Sequence, residues 1–150
     1  MTTTGAEADT GLDHTALDHA ALDHAALDHA TCLRLLGGVA VGRIAWCACD
    51  GRAIVVPVTF VLDGDAIIAH AFAGSGLRAV RTGRPLTFEA DDVGPAPHTG
   101  WSVLVRGLAE VVDDRHAVRW PTASTRGEDE PAPFLIRIPA SEVTGQRLSP

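Results

Sequence analysis

The sequence predicts a mainly β domain, a small closed or half-closed antiparallel barrel of six strands with a few short helices. Three observations support this. Short apolar runs are separated by Asp-Gly and Gly-rich turn signals. Strands and long helices do not alternate as they would in a doubly wound α/β fold. A chain of 150 residues, 46% hydrophobic and 21% charged, is long and apolar enough for one globular domain.

The first three strands form a predicted meander. Three apolar, β-branched runs occupy residues 39–49, 53–62 and 66–73. Asp50-Gly51 and Asp63-Gly64-Asp65 separate these runs, and both are typical of tight hairpin turns. We therefore expect three neighbouring antiparallel strands.

The remaining elements follow from the same signals. A short helix is expected at residues 77–82, between Gly74-Ser75-Gly76 and a terminating Gly83. Three further strands are predicted at residues 86–90, 101–112 and 134–138. A helix at 113–120 and a Pro-rich loop at 121–133 complete the prediction.

The N-terminal residues 1–31 are predicted to be an extension, and residues 32–150 the folded domain. Four tandem pentapeptides place a histidine at every fifth position within residues 12–31. On a helix, residues five positions apart point about 140° away from each other. On a strand they point to opposite faces. The histidines are therefore not aligned as metal ligands in either a helix or a strand. We interpret the extension as low-complexity chain, helical or disordered, and predict no metal site. Its last unit leads into a helix that should end at Gly37.

The charge pattern excludes several classes of function. All 12 basic residues are arginine, and without lysine neither a Schiff-base enzyme nor a P-loop nucleotide site can form. The net charge is −7, but the first 33 residues carry six acids and no base, so the rest is nearly neutral. This pattern predicts no nucleic-acid partner and no membrane surface partner. With no signal peptide, no membrane span and three cysteines, we expect a cytoplasmic protein.

The segment with the clearest chemical character joins the third strand to the short helix. It reads Ala73-Gly74-Ser75-Gly76-Leu77-Arg78-Ala79-Val80-Arg81. Two glycines permit a tight turn, Ser75 stands where a helix N-cap belongs, and Arg78 and Arg81 follow. Unpaired N–H groups at a helix N-terminus, with arginines nearby, suit a phosphate group. The alternative is a capped helix whose arginines face water.

Other reactive side chains are less informative. Cys47 and Cys49 share one face of a strand, but two thiols are too few for a structural zinc site. We interpret them as ordinary small cysteines, with a redox pair as the alternative. The possible acids and bases are His70, His98, His116, Glu89, Asp91 and Asp92. Their spacing assigns no catalytic triad or carboxylate pair, and Trp101 and Trp120 are interpreted as core or interface aromatics.

From Cys32 onward the sequence resembles the pyridoxamine 5′-phosphate oxidase-like family of flavin-binding split barrels. The resemblance lies in an ordered set of segments rather than in one motif. These segments are Cys32-Leu33-Arg34-Leu35-Leu36, Gly42-Arg43-Ile44-Ala45, Val56-Pro57-Val58-Thr59-Phe60, Asp63-Gly64-Asp65, Gly74-Ser75-Gly76-Leu77-Arg78, Phe88-Glu89-Ala90-Asp91, Gly100-Trp101-Ser102-Val103-Leu104-Val105-Arg106-Gly107, Ile138-Pro139 and Val143-Thr144-Gly145-Gln146-Arg147.

The resemblance implies a six-stranded antiparallel Greek-key split barrel that pairs into a homodimer. FMN would lie at the subunit interface, two per dimer, where Trp101 and Ser102 come from the facing strand. Pro57, Val58 and Thr59 would line the isoalloxazine ring, largely through backbone groups.

The resemblance also assigns residues around the ring and the phosphate. Arg43 and His70 would lie near the flavin, and Ser75 would hold its phosphate. Similar sequences usually carry a lysine after the Gly-Ser pair, whereas this chain has Gly76. Arg78 or Arg81 must then supply the missing charge.

We therefore predict a cytoplasmic, homodimeric FMN-binding oxidoreductase acting on NAD(P)H or a small-molecule substrate. The flavin carries the redox chemistry, so no catalytic acid or base need appear in the sequence. The C-terminal end lacks the Arg-x-His element and the tyrosine of the pyridoxamine phosphate oxidases, which argues against oxidation of vitamin B6. The alternatives are an F420-dependent reductase on the same fold, a non-catalytic flavin- or haem-binding barrel, and a cofactor-free dimer that interacts through the repeat.

Overall fold

The computed structural model describes residues 26–71, 75–94, 100–112 and 134–148. Within these residues the chain forms nine strands and two short helices. In chain order they are β1 (Ala26–Leu27), α1 (His29–Leu36), β2 (Val41–Cys47), β3 (Ala53–Asp63), β4 (Ala66–Ala71), α2 (Ser75–Arg81), β5 (Pro85–Val93), β6 (Gly100–Leu108), β7 (Glu110–Val112), β8 (Phe134–Pro139) and β9 (Glu142–Leu148).

The strands form an antiparallel split barrel, as the sequence predicts. Their order is β1-β9-β6-β5-β2-β3-β4-β8-β7. Strands β2, β3 and β4 are joined by hairpins, and β5 returns to pair with β2, which is the Greek-key arrangement. The outermost strands β1 and β7 are not paired with each other, so the barrel is open.

Two corners divide the barrel into two sheets. The first half of β3 pairs with β2, whereas its second half, from Phe60, pairs with β4. At the other corner the chain leaves β6, which pairs with β5 and β9, and enters β7, which pairs with β8. The large sheet consists of β1, β9, β6, β5, β2 and the first half of β3. The small sheet consists of the second half of β3, β4, β8 and β7.

The core lies between the sheets and is built from alternate residues of each strand. In β2, Ile44 and Trp46 are buried while their neighbours Arg43 and Cys47 are exposed, the period of two expected of a half-buried strand. The rings of Phe60 and Phe88 meet edge to face at 4.7 Å between centroids.

Gly42 lets β2 cross the Phe88 ring, because a β-carbon there would come within 2.4 Å of Phe88 Cζ and 2.7 Å of the Glu89 carbonyl oxygen.

Helix α1 ends where the sequence predicts, and its start at His29 has a side-chain cap. The Asp28 side chain accepts a hydrogen bond of 2.9 Å from the Thr31 backbone N–H and caps the N-terminus. Gly37 follows the last turn and donates its N–H to the Leu33 carbonyl. The helix buries Cys32 and Leu36 in the core.

The predicted hairpin turns are confirmed, and the strand count is corrected. Gly51 and Gly64 adopt φ of 84° and 61°, which glycine permits without strain. The predicted strand at 101–112 divides at Ala109 into β6 and β7, which belong to different sheets.

The C-terminal strand β9 was not predicted, because its glycine and charged residues disfavour a strand locally. It forms through seven paired positions with β6. The predicted helix at 113–120, the loop at 121–133 and residues 72–73 of the third strand lie outside the described residues. In the described part of the chain, neither helix is long and apolar enough to cross a membrane.

Candidate functional site

The candidate site begins on the outer face of the large sheet, the side that points away from the core. Register places Pro57 of β3 opposite Arg43 of β2, and Arg43 opposite Glu89 of β5. The same row continues through Leu104 of β6 to Thr144 of β9. Polar and apolar side chains therefore share one exposed surface that runs across five strands.

Arg43 lies within this row and binds two carboxylates. Its Nη1 donates to Glu89 Oε2 at 3.0 Å and to Asp91 Oδ1 at 2.8 Å, while half of the side chain remains exposed. The hydrogen bonds that Arg43 donates to Asp91 and, to a smaller extent, to Glu89 raise the pKa of Arg43 above its ordinary value. The guanidinium charge is thus already balanced by its own sheet, so Arg43 is not a spare cation for a phosphate group.

Thr59 and His70 mark the split between the two sheets. Pairing of β3 with β4 stops at Phe60 and Ala69, although Thr59 and His70 are the next residues in register. There the two strands are joined through side chains, with Thr59 Oγ1 and His70 Nδ1 3.3 Å apart. Among the described residues, the edge of β3 that faces away from β2 has no partner strand from Ala53 to Thr59. Backbone polar groups on such an edge remain available to a ligand.

Helix α2 carries the predicted phosphate residues at one end of the barrel. Ser75 begins the helix, and Arg78 and Arg81 are both exposed. Gly76 packs against the Trp46 indole, because a β-carbon at this position would lie 3.2 Å from Trp46 Cη2. The position that usually carries lysine is therefore occupied on its inner side by an aromatic ring.

A groove of about 640 Å³ opens between α2 and the turn that joins β2 to β3. We call it the hairpin groove. Its lining residues are Trp46, Cys47, Ala48, Cys49, Asp50, Arg78, Ala79, Thr82 and Arg84. Arg84 reaches across it and donates from Nη1 to the Cys47 carbonyl oxygen at 3.3 Å.

Two of the predicted site residues face the core. Val58 is 6% exposed and Trp101 is 9% exposed, and both belong to the hydrophobic cluster between the sheets. The interpretation of Trp101 as a core aromatic is confirmed, and at both positions only backbone groups can reach a ligand on the outer face. Ser102 faces outward, opposite Asp91, and lines a cavity of about 110 Å³ with Leu104 and residues of β9.

The structure brings the predicted residues together in groups. Pro57 adjoins Arg43, and Thr59 adjoins His70. Ser102 lies three strands from Thr59, about 14 Å at the usual strand spacing. One chain therefore does not place Ser102 beside the ring position inferred for β3.

Sequence reasoning missed two residues of the hairpin groove, Trp46 and Arg84. The alternating burial of β2 could have placed Trp46 toward the core, but nothing local signals its contact with Gly76. Glu89 and Asp91 were candidate acids and prove to be partners of Arg43. His98, His116 and Trp120 lie outside the described residues. Within the described residues, no three His, Cys, Asp or Glu side chains are grouped as a metal site.

Uncovered apolar side chains lie on the same outer face. Val41 is 56% exposed, Val55 59% and Leu104 42%. Exposed apolar residues that cluster on one face commonly mark an interaction surface.

The chain is similar to known proteins over most of its length. A family model described as pyridoxamine 5′-phosphate oxidase matches residues 28–147. The uncharacterized protein Rv0080 of Mycobacterium tuberculosis is 32% identical over 121 residues, which cover 77% of this chain and 80% of that protein.

Two solved structures have the same fold. An FAD binding protein from Mycobacterium smegmatis is 27% identical with a TM-score of 0.61, and the match covers 83% of this chain and 97% of that one. An FAD-binding protein from Mesorhizobium loti is 22% identical with a TM-score of 0.66, and the match covers 84% of this chain and 97% of that one.

Proposed function

The chain belongs to the pyridoxamine 5′-phosphate oxidase family, and from this premise we propose that it is a homodimeric flavin-dependent oxidoreductase. The flavin ring lies at the split between β3 and β4, on the outer face of the large sheet. The flavin-binding relative from Mycobacterium smegmatis, 27% identical, supports a flavin as the cofactor.

The observation that carries the proposal is the edge of β3 beside the Thr59–His70 pair, with which no strand in the described part of the chain is paired. A flavin ring is flat and has polar atoms along its edge, so it needs a flat surface bordered by hydrogen-bonding groups. The edge of β3 from Ala53 to Thr59 offers backbone N–H and C=O groups, and the Thr59 hydroxyl lies at its end. The residues present therefore fit the ring.

The phosphate of the flavin is assigned to the start of α2. Ser75 begins this helix, and the exposed guanidinium groups of Arg78 and Arg81 follow on the same short element. Guanidinium groups bind phosphate by paired, charge-assisted hydrogen bonds. Arg43 is already bound to Glu89 and Asp91, so this role falls to the arginines of α2, which are in no ion pair with any described residue.

A bound flavin supplies hydride or electron transfer, and the chain supplies position and exclusion of water. Thr59 holds His70 at the border of the ring site through their 3.3 Å contact. Arg43 keeps the carboxylates of Glu89 and Asp91 paired, so that they do not repel an anionic reduced cofactor.

A second copy of the chain completes the site. Val41, Val55 and Leu104 are the apolar residues that such a partner would cover. Ser102 lies about 14 Å from Thr59 within one chain, so it reaches a flavin on β3 only from the facing subunit.

The absorption spectrum of the purified protein tests the proposal. We expect flavin bands, or flavin bands after addition of FMN or FAD to colourless protein, and oxidation of NAD(P)H by the yellow form. A Soret band would indicate haem instead, and the distinct band of a deazaflavin would indicate F420. If the protein takes up neither FMN nor FAD, the proposal is wrong. If it binds a flavin but does not oxidise NAD(P)H, the oxidoreductase part of the proposal is wrong and the protein is a flavin carrier.

A further inference from the structure

We propose that the hairpin groove binds the adenosine diphosphate arm of the cofactor, so that the chain is selective for FAD over FMN. The inference rests on the proposed flavin function and adds to it the identity of the flavin. It concerns the cleft between α2 and the β2–β3 turn, which continues from the phosphate end of the proposed flavin site at Arg78.

The charges of the groove favour a diphosphate. Arg78 and Arg84 both line it, and neither is in an ion pair with any residue that the structure describes. The carboxylate at its rim, Asp50, is already bound to Arg52 Nε at 2.7 Å. Two guanidinium groups without carboxylate partners match the two negative phosphates of a diphosphate.

Arg84 is held in place for this role. Its Nη1 donates to the Cys47 carbonyl oxygen at 3.3 Å, which fixes the guanidinium across the groove and leaves its other N–H groups for a ligand. Arg78, on α2, lines the same groove, whereas Arg84 lies in the segment between α2 and β5. The two arginines thus approach the groove from different elements.

Trp46 gives the groove an aromatic wall. The side chain is nine-tenths buried, so the ring is held in place by the core on its other side. A fixed aromatic ring is a suitable packing surface for a flat nucleotide base.

The size and position of the groove also suit the arm. Its volume of about 640 Å³ is within the range of small-molecule sites. Helix α2 starts at Ser75, where the first phosphate is assigned, and Arg78 and Thr82 follow in the groove about one and two turns later. A second phosphate joined to the first therefore enters the groove, whereas FMN ends before it.

Binding of the two flavins by the full-length, flavin-free protein tests the inference. We expect FAD to bind at least about tenfold more tightly than FMN, and Arg84→Ala to remove most of that difference without weakening FMN. Arg34→Ala, an exposed arginine on α1, is the matched control and should change neither affinity. Equal binding of FAD and FMN by the unaltered protein, or equal losses in Arg84→Ala, overturns the inference and leaves the flavin proposal intact. Binding of neither flavin overturns the flavin proposal itself.

Thiol protection gives a second readout that does not depend on activity. Cys47 and Cys49 are exposed and line the groove, whereas Cys32 is fully buried and reports unfolding. We expect FAD to slow alkylation of Cys47 and Cys49 by iodoacetamide, FMN to leave it unchanged, and Cys32 to stay unmodified throughout. Unchanged labelling at saturating FAD places the arm elsewhere and overturns the inference.

Discussion

Gly76 of α2 lies directly against the indole of Trp46, with only 3.2 Å between the Trp46 Cη2 atom and the position that a β-carbon at residue 76 would take. This contact gives a steric reason for the glycine that stands where similar sequences have lysine. A side chain at this position requires a shift of a few tenths of an ångström in a ring that is 9% exposed and packed into the core. The contact with Trp46 therefore accounts for the absence of a charged side chain at residue 76. Arg78 and Arg81 are the cations on the same helix.

The Gly76–Trp46 contact predicts a strong coupling between the two positions. Gly76→Ala should destabilise the protein by about 1 kcal/mol, because overpacking outweighs the gain in helix propensity. In a Trp46→Phe background the ring no longer reaches residue 76, and the same change should become neutral or stabilising. Urea unfolding of the four proteins measures the coupling, and additive effects would show that the contact does not constrain residue 76.

The outer face predicts dimerisation through Leu104. Leu104→Arg should convert the dimer to a monomer and weaken flavin binding, because it places a charge in an apolar contact. Val111→Arg is the matched control, since Val111 is 44% exposed against 42% for Leu104 but lies on β7 of the small sheet. Light scattering after size-exclusion chromatography reads the mass. A dimer that persists in Leu104→Arg excludes this face as the interface.

The Thr59–His70 contact predicts a loss of flavin affinity when the hydroxyl is removed. Thr59→Val keeps the shape of the side chain and should weaken flavin binding about three- to tenfold, the usual range for one neutral hydrogen bond. Thr59→Ser retains the hydroxyl and should restore binding. Fluorescence titration measures both variants, and equal affinities in all three proteins would remove Thr59 from the site.

Because β9 packs closely on α1, any side chain at position 145 should lower the free energy of unfolding. A β-carbon there would lie 2.4 Å from Cys32 Sγ and 3.2 Å from Leu27 Cβ. Gly145→Ala should destabilise the protein by about 1–3 kcal/mol, and Cys32→Ala should relieve part of this because it removes the sulfur. Thermal unfolding measures both variants and their combination. A Gly145→Ala protein as stable as the parent would contradict the packing described between β9 and α1.

The N-cap of α1 predicts a defined dependence of stability on pH. Hydrogen bonds from the Thr31 backbone N–H and hydroxyl lower the pKa of Asp28 below its ordinary value. A lowered folded-state pKa means that the stabilisation is complete above the ordinary carboxyl pKa and disappears as the pH falls through the lowered value. Asp28→Asn keeps an acceptor oxygen and should lose this acid-dependent component, whereas Asp28→Ala should lose the cap at every pH. Unfolding curves between about pH 2 and 6, the range in which carboxyls titrate, measure this dependence. If the parent and Asp28→Asn show the same dependence of stability on pH, the Asp28 cap does not titrate and the prediction is wrong.

Local sequence signals were enough to predict the turns and the end of the first helix. Asp50-Gly51 and Asp63-Gly64-Asp65 specify their turns because glycine takes positive φ without strain. Gly37 stands at the end of α1, as the sequence also predicts. The Greek key and the residues of the outer face were predicted from the family resemblance. They depend on pairing between distant strands, which these local signals do not specify.

Which of those residues meet depends on how distant strands pair. Arg43 finds its carboxylates at Glu89 and Asp91, more than 40 positions away, because β5 returns beside β2. Trp101 faces the core while Ser102 faces outward, since adjacent residues of a strand point to opposite sides of the sheet. Strand pairing sets partners by register between distant segments, and that register is fixed by burying one face of every strand at once. No short stretch of sequence contains that information.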